Sequence, residues 1–423
     1  MKYLFLLLFV PLLSKAQIEF KQYFAEEGAV RYEYELVGNF DSYSAVYQQS
    51  KYLPNWGGNP CYLIDTVGYG TFRYQLYDLK SNQLVFQKGF SPLFWEWLDT
   101  QEARMRSRSF NQSLFFPRPL NDVLITIQTR NKQNLWCSLY TDTFKVNNYF
   151  VIDETIIIPP IDTLFFSGIA ADKIDLLILA EGYQQSEMEK FVADADRLVR
   201  YLFSKAPFSN YKNRFNVLLV KTTSPESGTD IPGEGVFRKT AFNSHYYTFD
   251  SSRYLTSSDM KSIYDAVDGL AWDHLYLLVN ESRYGGGGFY NYLNVCSSDN
   301  ELSPFVFCHE FGHGFAGLAD EYYTSSTSYD EYYLLDIEPV EANITTLVNF
   351  ESKWKSMVDI NLPIPTPRDS SFQHVVGVFE GGGYREKGIY SPVMSCWMKE
   401  TAAGDFCPVC QKAIEQVILT HSK

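Results

Sequence analysis

The sequence predicts an α/β (α+β) half preceded by an all-β, sandwich-like module, and three observations carry that expectation. Up to residue 157 the chain runs in short segments of alternating polar and apolar residues; after Pro159-Pro160 the apolar runs become continuous; and a helical spacing separates the first two of those runs. Alternation marks strands with one wet face. Strands that are apolar throughout are buried on both faces, as in parallel sheets joined by helices.

At the start, Lys2 precedes the apolar run Tyr3 to Leu13, and Ser14 and Ala16 place small residues where a signal peptidase cuts. Residues 1–16 are therefore expected to be a signal peptide, with the mature chain beginning at Gln17 and the protein secreted, periplasmic or held at the cell surface. The run is too short for a membrane span, which needs about 20 apolar residues. A net charge of -14 argues against nucleic-acid and anionic-membrane partners.

Residues 17–157 form the expected β module, with strands such as Val30 to Leu36 and Val123 to Ile127 punctuated by Gly, Asn and Pro. Its aromatics Tyr69, Phe72, Tyr74, Phe94, Trp95 and Trp97 read as core in preference to a carbohydrate-binding face. The second domain is expected over residues 161–423. Ile174 to Ala180 and Phe215 to Val220 are strands flanking a helix capped by Ser186, a βαβ unit, and His274 to Val279 is a third strand. Gly285 to Gly288 lacks the Gly-Lys-Ser or Gly-Lys-Thr of a phosphate loop and leads into Phe289 to Val295. It is expected to bring up an edge strand to which an extended peptide can add. Asp299 or Ser303 then caps the next helix, with Pro304 in its first turn. Tyr322 to Tyr333 reads as a surface loop and Cys407 to Leu419 as the closing helix. Among seven cysteines, Cys407 and Cys410 are expected to be structural, with Cys396 and Cys61 or Cys137 as partners.

The chemistry concentrates in Phe307 to Tyr323. His309 and His313 are four apart, so on a helix both imidazoles face one metal ion, while Glu310 points about 100° further round and can serve as a base without being a ligand. Gly317 ends the helix and lets Gly-Leu-Ala-Asp return Asp320 towards the metal; Glu321 is the competing third ligand. A glutamate on a second helix, from Glu331, Glu338 or Glu341, is a further alternative. Tyr390 and Tyr384 are candidate oxyanion stabilisers.

These stretches resemble the metzincins, in which His-Glu-x-x-His is followed by Gly-x-x-ligand and a methionine-bearing turn lies under the zinc. Cys396-Trp397-Met398 resembles that turn, with Met398 the expected methionine and Met394 the alternative. More closely, Leu177 to Tyr183, Phe307 to Tyr322, Glu341 to Thr345, Phe379-Glu380-Gly381 and Gly388 to Met398, followed by Phe406 to Cys410, resemble peptidase family M64, the IgA-peptidase group. The resemblance implies a metzincin-like zinc endopeptidase acting on protein or peptide substrates. His309, His313 and Asp320 would be its zinc ligands and Glu310 its base. No residue here identifies an immunoglobulin hinge as the target. The rival expectation is a glycan- or protein-binding adhesion protein in which the metal domain is a scaffold.

Overall fold

The computed structural model describes residues 18–323 and 332–423; the expected signal peptide, Glu331 and part of the Tyr-rich loop lie outside the described residues. Strands β1 (Phe24–Gly38), β2 (Tyr43–Leu53), β3 (Phe72–Asp78), β4 (Gln83–Phe90), β5 (Arg108–Pro119), β6 (Val123–Arg130) and β7 (Trp136–Phe144) make two antiparallel sheets, ordered β2-β1-β5 and β4-β3-β6-β7. Alternation does what the sequence suggests: Val123, Ile125 and Ile127 of β6 are buried and the residues between them are half-buried. Tyr32, Leu36 and Leu114 of one sheet and Leu76, Val85 and Ile125 of the other share one apolar cluster. Phe72, Tyr74, Phe94 and Trp97 lie inside it, whereas Tyr69 and Trp95 are half-buried.

The second half is built on a six-stranded sheet of β8 (Ile161–Phe165), β9 (Ile174–Glu181), β10 (Phe215–Val220), β11 (His274–Val279), β12 (Gly286–Phe289) and β13 (Leu293–Ser297). Their order is β12-β13-β11-β9-β10-β8. The four central strands are parallel and the two edges antiparallel. Leu176, Ile178 and Ala180 of β9 join the cluster formed with the long helices Met188–Leu202, Ser303–Ala316 and Pro408–His421. Leu177 and Leu179, on the other face, join the cluster of the β module. The module thus covers the sheet face that a second helix layer covers in doubly wound folds, which is why these strands are apolar on both sides. Buried Arg31 of β1 ties the layers together by donating to Asp265 at 2.7 Å and Asp268 at 2.8 Å.

Two local expectations are corrected. The first long helix is entered through a reciprocal capping box of Gln184 and Glu187, not through Ser186, because a short 3-10 turn precedes it. Ser303 is the first residue of its helix and not the cap; its hydroxyl donates back to the carbonyl of Ser297 at 2.6 Å, and Asp299 does not cap it either. A last hairpin, β14 (Phe379–Gly382) and β15 (Arg385–Ser391), stands beside this helix's C-terminal return. No helix among the described residues is long and apolar enough to cross a membrane.

Candidate active site

The helix Ser303–Ala316 presents His309 and His313 one turn apart, and Gly317 ends it in the left-handed conformation, φ 57°. The Gly317 N–H donates to His313 O at 2.9 Å and that of Leu318 to Gly312 O at 3.3 Å, which closes the last turn and sends the chain back. Asp320 then arrives at the imidazoles. Its Oδ1 lies 3.1 Å from His309 Nε2 and 3.3 Å from His313 Nε2, and the two Nε2 atoms are 3.1 Å apart. Ligand atoms held about 2.0–2.1 Å from a tetrahedral metal lie roughly 3.3–3.4 Å from one another, so these three atoms fit one face of such a site.

The outer atoms fix the three side chains. His309 Nδ1 pairs with Trp397 O at 2.9 Å and His313 Nδ1 with Leu318 O at 2.6 Å, so both imidazoles protonate outward and turn the Nε2 lone pair inward. Asp320 Oδ2 accepts from the Tyr384 hydroxyl at 2.5 Å, while Oδ1 is buried with no hydrogen-bond donor. Two imidazole nitrogens and a carboxylate oxygen converging this closely suit a positive charge among them, a proton on the imidazoles or a metal ion. The electrostatics agree. Burial opposes charge on the imidazoles, yet the Asp320 carboxylate outweighs it and pushes His313 up to about 9 and His309 upward. Asp320, despite burial, is held well below the usual carboxylate range by the same pair.

Glu310 shares the cleft; one carboxylate oxygen lies within 4.8 Å of both histidine ligand atoms. Burial raises its pKa, and the two imidazoles pull it back. Opposite it runs β12, the glycine stretch itself: the sequence placed the strand after Gly288, but the chain pairs Gly286 to Phe289 with β13 across a tight turn at Asn291. The glycines are there for proximity. A Cβ at Gly286 would meet the Glu310 carboxylate oxygen at 2.8 Å, and one at Gly288 would lie 2.2 Å from the Glu310 carbonyl oxygen. Gly288→Ala must therefore push β12 off the helix. It is expected to cost about 1–3 kcal/mol, as overpacking does, in denaturant unfolding; unchanged stability would show that β12 can stand away from the helix.

Met398 is fully buried, with its sulfur 2.9 Å from where a Cβ on Gly312 would sit, directly under the helix turn that carries both histidines; Met394 is half-buried. The Met398 carbonyl accepts from the Glu321 N–H at 2.6 Å. Glu321, the competing ligand, turns away from the histidines: its Oε1 accepts from Asn343 at 3.0 Å and lies 3.2 Å from Cys410 Sγ. Glu338 and Glu341 are engaged elsewhere, the first accepting from Thr346 and the second from Tyr333. Tyr384, a candidate oxyanion stabiliser, lines the cleft and donates to the Asp320 carboxylate, which it positions. Tyr390 is used through its backbone, paired with Thr345, and does not line the cleft.

Sequence reasoning missed the contribution of the first module. Trp95 and Glu96 line the same cleft as His309, Glu310 and Asp320, as do Tyr254, Tyr284 and Tyr322 from the second half. Burial pushes Glu96 up to about 7, and the Tyr254 hydroxyl that donates to it pulls the other way. Trp95-Glu96-Trp97 carried one signal: a carboxylate between two large aromatics, only one of which is fully buried.

A helix-borne histidine pair, a returning carboxylate and an adjacent glutamate in a cleft define a metal-dependent hydrolase type of site. The chain matches the model of the IgA Peptidase M64 family over residues 163–374 and 368–418, and that of the Peptidase M64 N-terminus over residues 19–141. It belongs to peptidase family M64. Among curated proteins, none matches the chain.

Proposed function

We propose that this protein is an exported zinc endopeptidase, with a metzincin-like catalytic half and a sandwich-like first module meeting at residues 158–160. The observation that carries the reading is the triangle of His309 Nε2, His313 Nε2 and Asp320 Oδ1, with edges of 3.1, 3.1 and 3.3 Å. Two neutral imidazoles and one carboxylate are a donor set that suits zinc and leaves a fourth position open.

When bound there, zinc brings the pKa of a coordinated water towards ~7 and polarises a carbonyl. The chain's own residues do the rest. Trp397 O and Leu318 O hold the imidazoles in register, and Tyr384 holds Asp320. Glu310, half-buried at the end of the glycine strand, takes a proton from the attacking water and returns it to the leaving amine nitrogen. An extended peptide laid along the cleft meets residues of β12 and of the Trp95-Glu96 wall, both of which line it. That shared wall favours a peptidase over an adhesion protein whose β module works alone.

Purified mature protein should cleave peptides from a mixed library, lose that activity to a chelator and regain it with zinc. Full-rate cleavage by chelated, metal-free protein would overturn the reading.

A further inference from the structure

Behind the histidine site, on the far side of the Asp320-Glu321 peptide, three thiols and a carboxylate converge: Cys396, Cys407, Cys410 and Glu321 are all buried, and their ligand atoms lie within 4.8 Å of one another. Cys396 Sγ and Cys410 Sγ are 3.8 Å apart, far beyond the ~2.05 Å of a disulfide. Thiolates bound at about 2.3 Å to one tetrahedral zinc lie roughly 3.8 Å apart, so the spacing is that of two ligands on one ion. Cys410 Sγ to Glu321 Oε1, at 3.2 Å, is a little shorter than the mixed sulfur–oxygen edge of such a site.

Three further features point to a cation. Glu321 Oε2 is fully buried with no hydrogen-bond partner, a costly condition for a carboxylate unless a positive charge meets it. Cys407 is the N-cap of the last helix, followed by Pro408, so the two cysteines of Cys-Pro-Val-Cys sit where backbone N–H groups and the helix dipole favour thiolates. Those N–H groups are used. The Cys410 N–H donates to Cys407 Sγ at 3.5 Å and the Cys407 N–H to Cys396 Sγ at 3.3 Å. Cys61 and Cys137, which the sequence offered as partners, are exposed and stand outside the cluster.

We propose that Cys396, Cys407, Cys410 and Glu321 form a second, structural zinc site that braces the catalytic one from behind. Three soft thiolates suit zinc, and the carboxylate oxygen disfavours copper(I). Four protein ligands close the coordination, as in structural sites, and binding releases the thiol protons. The linkage to catalysis is short. Glu321 is the neighbour of Asp320; Cys396 is the neighbour of Trp397, whose carbonyl holds His309; and Met398 O accepts from the Glu321 N–H. One ion would thus join the segment that carries Asp320 and Glu321, the Met398 turn and the last helix.

The site does not depend on the peptidase reading, and metal counting separates the two. The full mature wild-type chain is expected to carry two zinc ions, one of them with sulfur neighbours at ~2.3 Å in X-ray absorption. His309→Ala/His313→Ala is expected to keep one zinc per chain, and cobalt loaded in its place is expected to give an intense sulfur-to-metal charge-transfer band. Adding Cys410→Ser should remove that band. A single zinc with only nitrogen and oxygen neighbours, a metal other than zinc on the thiols, or a disulfide within Cys396, Cys407 and Cys410 in non-reducing peptide mapping overturns the proposal. A single, sulfur-bound zinc in the wild type would instead support it and count against the histidine site. The wild-type spectrum decides even where a variant does not fold.

Discussion

Glu310→Gln is expected to leave fold and zinc content at wild-type values while peptide cleavage falls by about 10⁴-fold. The substitution keeps size and hydrogen bonding but removes the proton acceptor, and general acid–base assistance commonly supplies ~10²–10⁴ in rate. The loss should reach the upper end, because one carboxylate serves both the attacking water and the leaving amine. The surroundings make the test clean. The 3.1–3.3 Å triangle is complete without Glu310, and its main chain, not its carboxylate, is what Gly288 packs against. A structural Glu310 predicts a lower melting temperature, with activity falling only in proportion to folded protein. A folded, zinc-loaded Glu310→Gln that cleaves at near wild-type rate would sink the assignment.

Much of this site was legible because its signals are local. His309, Glu310, His313 and Gly317 lie within three turns of one helix, where spacing alone fixes direction. Asp320 follows from the glycine that turns the chain. The sequence could not separate Asp320 from Glu321, since adjacent residues in a loop have no fixed period. Long-range packing separates them: the hairpin turn at Gly383 and Tyr384 donates to the carbonyls of Asp320 and Tyr322, and the Met398 carbonyl takes the Glu321 N–H, which sends the two side chains to opposite sides. The sequence puts the glycine run ahead of a strand, whereas Gly286 to Phe289 is itself paired with β13, and at Gly286 and Gly288 no Cβ fits beside Glu310.

The fold shows the same division. Continuous apolar strands announced burial on both faces, and β9, β10 and β11 fall where the sequence put them. Apolarity says nothing about what does the burying. That the β module covers one face depends on contacts such as Arg31 to Asp265 and Asp268, more than 230 residues apart, which no periodicity encodes. The same blindness hid Trp95 and Glu96 as cleft residues and offered Cys61 and Cys137, which stand exposed outside the cluster, beside Cys396, which does join Cys407 and Cys410.

Asp320→Ala should empty the histidine site and abolish cleavage. Removing the groups that merely orient metal ligands typically costs ~10–100-fold in affinity, so removing a ligand itself should cost more. The change also takes away the charge that holds a proton on His313 in the metal-free protein, a group now pushed up to about 9. Without Asp320, burial dominates and both imidazoles become neutral near pH 7, so the fold should survive. Glu321→Ala is the informative contrast. Its carboxylate faces Cys410 and Asn343, so it should leave zinc on the histidines while weakening the ion held by the cysteines. Zinc counts per chain, with X-ray absorption to tell nitrogen and oxygen neighbours from sulfur, give the answer for both variants on the same preparations. Retention of nitrogen-bound zinc by Asp320→Ala at wild-type affinity would remove Asp320 from the ligand set, and its loss from Glu321→Ala alone would put Glu321 in its place.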